Sequence, residues 1–168
     1  MELFLDCETT GLYPHKGNRI RCISWSVNGE EPKAIDIEKH TPNEFSELYE
    51  CADYIGGHNV SFDIKFIQAQ LGLVLKHGVQ FIDTKIIYRY MDPHKSCKLK
   101  DLAERILKID VIRLSDLQGK GKKKLGLDQI PTDDLLTYCK QDVLLSQKLY
   151  QKYKQDLIVK ERLELMSA

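Results

Sequence analysis

Apolar residues come in short runs along this chain, and the spacing within each run sets the expected element. Leu3, Phe4 and Leu5 lead directly into Asp6, so a buried strand is expected over residues 2–6. Tyr13–Asn18 holds Pro14 and Gly17 and reads as a loop. Arg19–Val27 alternates, with Ile20, Cys22, Ser24 and Ser26 expected on one side and Arg21, Ile23, Trp25 and Val27 on the other. That strand turns at Asn28-Gly29, and Pro32–Ile37 reads as an edge strand because proline removes a ladder donor. Thr41, Pro42 and Glu44 form a capping-box pattern ahead of a helix whose inner face is Phe45, Leu48, Tyr49 and Ala52. Tyr54–Gly56 is the fourth strand. Ser61–Leu71 has Phe62, Phe66, Ile67 and Leu71 at helical spacing.

Gln80–Asp83 is a fifth strand, and Thr84–Tyr90 a helix that stops ahead of Pro93. Lys98–Leu107 is a helix with Leu99, Leu102, Ala103 and Ile106 inward. Residues 111–130 read as irregular. A long helix follows Pro131, reaching about Leu157 or beyond, with Leu135, Leu136, Tyr138, Cys139, Val143, Leu144 and Leu149 inward. Early hairpin strands followed by strands alternating with helices give an α/β fold: a mixed sheet of about five strands flanked by helices. No repeat or linker interrupts it, so residues 1–168 are expected to be one domain.

Composition narrows the function. The 25 basic residues balance the 25 acidic ones, so nucleic acid would have to be held by a local patch or through metals rather than by bulk charge. Five cysteines with no CxxC pair read as reduced and packed, which fits a cytoplasmic setting. No signal peptide is visible and no apolar run is long enough for a membrane span. Met1 directly before the first strand reads as the start of a small gene product.

Three stretches carry candidate chemistry. Asp6 and Glu8 are two apart on an extended chain and share a face, while Cys7 points to the core. Adjacent carboxylates repel, and a cation between them relieves this; oxygen ligands favour Mg²⁺ or Mn²⁺ over zinc. Asp63 falls in the first turn of a helix behind Gly57-His58-Asn59, where the helix dipole alone would favour an acid. Tyr138 and Asp142 are four apart on a helix face that is otherwise apolar, and an inward Asp needs a cation or a hydrogen-bond partner. Taken singly, each has an ordinary structural explanation: a solvated strand end, a helix start, a salt bridge.

Taken together, DCETTG (Asp6–Gly11), HNVSFD (His58–Asp63) and YCKQD (Tyr138–Asp142) resemble the three motifs of the DEDD superfamily of 3′–5′ exonucleases, which has a ribonuclease H-like fold. A tyrosine four residues before the last Asp is the mark of its tyrosine branch. IDTKIIYRYMDP (Ile82–Pro93), LKDLAERIL (Leu99–Leu107) and GKGKKKLGLDQIP (Gly119–Pro131) are further similar to the proofreading domain of family A DNA polymerases. Those domains normally precede a polymerase, which this sequence lacks.

The resemblance implies a proofreading-type exodeoxyribonuclease that releases nucleoside 5′-monophosphates from a single-stranded or frayed DNA 3′ end. It implies two divalent ions, Mg²⁺ or Mn²⁺, with Asp6 bridging both. Glu8 and Asp142 would hold the ion that activates water, Asp63 would support the other, and Tyr138 would orient the water. Thr9, Leu12, Asn59, His58 and Phe62 would contact substrate, and Lys122 and Lys123, with Lys120 and Lys124, would suit phosphate contact. A separate DNA polymerase is the expected partner, and the chain is expected to be a monomer. Two alternatives stay open: an RNA-trimming exonuclease similar to ribonuclease D, and a non-catalytic domain that binds nucleic acid or a polymerase.

Overall fold

Strand β1 (Glu2–Thr9) is the middle strand of a five-stranded sheet ordered β3-β2-β1-β4-β5. The structure, a computed structural model, describes residues 1–119 and 124–167. β2 (Ile20–Val27) and β3 (Lys33–Asp36) continue the sheet antiparallel on one side of β1; β4 (Tyr54–Gly57) and β5 (Gln80–Asp83) lie parallel to it on the other. This is the mixed sheet that the hydrophobic pattern predicts. β1 is longer than expected, so Glu8 lies within the strand rather than beyond it.

Alternation along β1 builds two different faces. Leu3, Leu5 and Cys7 enter the main core with Ile23, Trp25, Phe45, Tyr49, Phe66 and Ile67. Helices α1 (Asn43–Cys51) and α2 (Val60–Leu71) supply its other wall. The opposite face carries Phe4, packed with Ile82 and Val143, and then Asp6 and Glu8. Helices α3 (Thr84–Met91), α4 (Leu99–Leu102), α5 (Leu114–Gln118) and α6 (Thr132–Ser167) follow, and a 3₁₀ turn at Pro14–Lys16 lies within the expected loop. α4 runs on into π-helical turns at Ala103–Leu107, and α6 packs against β1, β2 and β3. α5 lies inside a stretch expected to be irregular; its Leu114 and Leu117 pack against Ile130, Leu135 and Cys139.

Three local expectations are not met. A bulge in the β1–β2 ladder sets Glu8 opposite Cys22 and Thr9 opposite Ile20, leaving Arg21 as an extra residue. Ile20 therefore joins the main core, and Arg21 reaches the far side, where its guanidinium bonds Leu127 O and Ile130 O, both at 2.9 Å. The Thr41 capping box does not form. Pro42 takes the cap position without a side-chain bond, and Glu44 pairs with Lys33 instead. On α6, Leu145 is fully buried while Leu144 is only half-buried.

Candidate active site

The ladder between β1 and β4 pairs Phe4 with Gly56 as its last step, whereas pairing with β2 continues to Thr9. β1 thus overhangs its parallel neighbour, and Asp6 and Glu8 stand on the overhang. A strand edge left this way has unpaired backbone donors. The carboxylate of Asp63 takes one of them, accepting from Cys7 N–H at 2.8 Å. Asp63 is 3% exposed and sits in the first turn of α2, as expected. A tight turn brings it there: a Cβ on Gly57 would lie 2.8 Å from the Leu5 carbonyl oxygen, and Asn59 is left-handed at φ 65°. Asp83, which the sequence reading passed over, braces the turn. Its carboxylate accepts from Asn59 N–H (2.9 Å), Val60 N–H (3.2 Å) and Lys85 N–H (2.9 Å), tying the starts of α2 and α3 to the end of β5.

α6 brings the third group. Tyr138, Cys139 and Asp142 are all buried on its inner side. The Cys139 thiol lies 3.4 Å from Asp6 Oδ2, and Asp6, Glu8 and Cys139 have ligand-type atoms within 4.8 Å of one another. Asp142 forms a buried ion pair with Lys100 of α4. The Lys100 ammonium also sits 4.2 Å from the centroid of the Tyr138 ring. Sequence reading missed Lys100, because a lysine in a helix normally reads as solvated. The available signal was its spacing of three from the inward Ala103.

The electrostatics follow from packing several carboxylates with one ammonium. Burial pushes the Asp6 carboxyl up to about 6, against the Cys139 thiol and Lys100, which pull it down. Glu8 and Asp63 are pushed well above the usual carboxylate range, first by burial and then by Asp6. Burial lowers Lys100 to about 8, although Asp6 and Glu8 favour its charge. The Tyr138 hydroxyl is raised above its ordinary value by burial, Glu8 and Asp6, so it stays protonated at neutral pH.

The expected substrate contacts fall in several places. His58 and Asn59 line a cavity of about 560 Å³ together with Lys85, Arg89, Ser96 and Lys98. His58 Nδ1 lies 2.9 Å from the Thr84 hydroxyl, which also lies 3.1 Å from Gly57 O. Burial lowers the His58 pKa to about 4. Asn59 Oδ1 accepts from Lys85 Nζ at 3.1 Å. The Thr9 hydroxyl donates to Gly11 O at 2.6 Å. Leu12 is 67% exposed. Phe62 is half-buried against the main core with its ring 5.0 Å from that of Phe66. Lys120, Lys122 and Lys123 lie outside the described residues; Lys124 is exposed.

A family model of DNA polymerase A exonucleases, described as 3′–5′ exonuclease, matches residues 2–158. The chain belongs to this family. The chain is 28% identical to DNA polymerase III subunit epsilon of Rickettsia prowazekii (strain Madrid E), over 65% of this chain and 63% of that protein. It thus spans less than two thirds of that relative's length. Its fold is shared with solved nucleases. The apo form of one superposes at a TM-score of 0.73 with 22% identity, over 97% of this chain and 76% of that one. NrnC of Brucella melitensis gives 0.73 with 18% identity, over 98% and 77%. The catalytic core of RRP6 from Trypanosoma brucei gives 0.64 with 17% identity, over 94% and 41%. The ribonuclease H-like exonuclease fold expected from the motifs is therefore present, and the family of 3′–5′ exonucleases to which the chain belongs depends on divalent metal. Among the described residues no helix is long and apolar enough to cross a membrane.

Proposed function

We propose that this exonuclease hydrolyses the 3′-terminal phosphodiester of single-stranded or frayed DNA, with Asp6, Glu8, Asp63 and Asp142 holding two divalent ions, Mg²⁺ or Mn²⁺. The observation that carries this reading is the acid cluster on the β1 overhang. Burial raises the pKa values of Asp6, Glu8 and Asp63, Asp6 raises those of Glu8 and Asp63 further, and among the described residues Lys100 is the one basic side chain ion-paired with any of the four acids. So much acid with so little counter-charge, and all of it oxygen donors, fits hard divalent cations. Bound there, a pair of ions would supply charge stabilisation to the attacking and leaving oxygens of an in-line displacement.

The chain's own groups have defined tasks in this reading. The Tyr138 hydroxyl, held protonated, is a hydrogen-bonding group for the attacking water rather than a base. Water adds at phosphorus, the bond to the 3′ oxygen breaks, and that oxygen leaves with a proton. The products are a strand with a new 3′ hydroxyl and a nucleoside 5′-monophosphate. The cavity beside His58 and Asn59 carries Lys85, Arg89 and Lys98, a local basic patch on a chain of zero formal net charge. It would take backbone phosphates without reading bases. Leu12, Thr9 and Phe62 remain the proposed contacts to the terminal nucleotide. The family match and the likeness to a polymerase III subunit favour DNA and association with a separate polymerase.

RNA is the second reading, favoured by the fold shared with NrnC, an RNA-trimming exonuclease that has been solved bound to pGG. The test is cleavage of a 5′-labelled single-stranded DNA and an RNA of the same sequence, with Mn²⁺ or EDTA. The expected result is a metal-dependent ladder from the DNA 3′ end that Asp6→Ala and Asp142→Ala abolish. Preferential loss of RNA would assign the RNA reading instead. Near-normal rates in either variant would overturn the metal site.

A further inference from the structure

We propose that Lys100 is an internal cation that holds Asp142 while the site is metal-free and gives up that carboxylate when divalent metal loads. Metal affinity is then set by competition with a residue of the chain itself. The inference rests on the metal site proposed above and adds Lys100 to it as a positioning residue.

Three observations carry it. First, Lys100 is 8% exposed, an uncommon place for lysine, and its ammonium is ion-paired with a carboxylate that is itself 8% exposed. Second, the competing charge is local. Asp6, Glu8 and Asp63 have no ion pair among the described residues, so Lys100 is the cation that the cluster already contains. A monovalent and a divalent cation cannot share one carboxylate oxygen without strong repulsion. Third, the lysine has a way out. α4 is a single turn between the extended backbone of Lys98 and the π-helical turns Ala103–Leu107, and such turns cluster where helices serve a site. The four-carbon stem of lysine is flexible, and the Tyr138 ring face already touches the ammonium. Lys100 can therefore leave Asp142 without unfolding α4, whose Leu102 remains packed with Tyr88 and Leu149.

The test measures Mn²⁺ binding by calorimetry in the absence of nucleic acid. Lys100→Met keeps the apolar stem and removes the charge. It should bind Mn²⁺ about tenfold more tightly than wild type, the size expected for removing one contacting like charge. Lys100→Arg, which keeps the charge, should not bind more tightly. A folded Lys100→Met with unchanged or weaker affinity overturns the proposal. If Lys100→Met does not fold, ¹³C-lysine NMR of the wild type decides. The Lys100 signal should move on titration with Mg²⁺, and a signal that stays fixed overturns the proposal. Asp142→Asn separates the two readings. Loss of Mn²⁺ binding in Asp142→Asn, with Lys100→Met equal to wild type, removes only the lysine exchange. Unchanged binding in Asp142→Asn removes the metal assignment of Asp142, and the exchange with it.

Discussion

The Cys7 backbone N–H donates to the Asp63 carboxylate at 2.8 Å, and this bond fastens α2 to the unpaired edge of β1. Asp63 therefore has a structural task besides its proposed metal task, and substitution can separate the two. Asn keeps an acceptor for Cys7 and removes a carboxyl whose ionisation burial and Asp6 both oppose. Asp63→Asn should melt at or above the wild-type temperature in EDTA while losing most cleavage. Ala leaves the buried N–H without a partner, which costs about 1–3 kcal/mol. Denaturant unfolding of both variants beside a cleavage assay checks this.

Tyr138 offers a cleaner catalytic test. Phe keeps the ring over which the Lys100 ammonium sits and deletes only the hydroxyl. Turnover of Tyr138→Phe should fall by about tenfold or more, within the range for losing one positioned group. Binding of single-stranded DNA in Ca²⁺ should stay close to wild type. An unchanged single-turnover rate would remove the hydroxyl from the mechanism.

His58 makes stability depend on pH. Burial lowers its folded pKa to about 4, against about 6.5 unfolded. The unfolded chain thus binds more protons between these values. The contribution is fully present above pH 6.5 and is lost as pH falls through the folded value. Its size is on the order of 3 kcal/mol. Asp6, raised to about 6, works in the opposite sense over much of that window. The difference between wild type and His58→Gln isolates the histidine. The gap in melting temperature at pH 7 should narrow by several degrees toward pH 4, as thermal scans across the range would show.

Arg21 is the clamp at the start of α6. Its guanidinium satisfies Leu127 O and Ile130 O, with the Thr132 hydroxyl at 3.4 Å. Arg21→Ala should cost about 2–4 kcal/mol, since two carbonyls lose a charged donor. Hydrogen exchange should speed up first near residues 130–136. Uniform change across the sheet would contradict this local role.

Much of the fold was legible because it is written in short-range patterns. The apolar run ahead of Asp6, the hairpin turn at Asn28-Gly29 and the inward stripe of α6 all have the spacing that their elements require. The faces of Ile20 and Arg21 were not legible, because a bulge depends on how two strands pair rather than on either alone. The Thr41 cap failed through a competition invisible in one dimension: Glu44 found Lys33 across the β3–α1 connection. In the site, Asp6, Glu8, Asp63, Tyr138 and Asp142 announced themselves as carboxylates and a tyrosine in three motifs. Lys100 did not, because its burial follows from α4 meeting α6 42 residues along the chain.

The bulge in β2 bears on the history of the chain. Because two residues oppose one, Arg21 is surplus to the pairing: a strand running straight from Ile20 to Cys22 would still send them to opposite faces. The sheet could thus lose that position without reversing a side chain, and the cost would fall on the lock to α6. Arg21 has the character of an insertion retained for what it grips, so length variation among related chains is expected at this position, paired with changes in the carbonyls it meets.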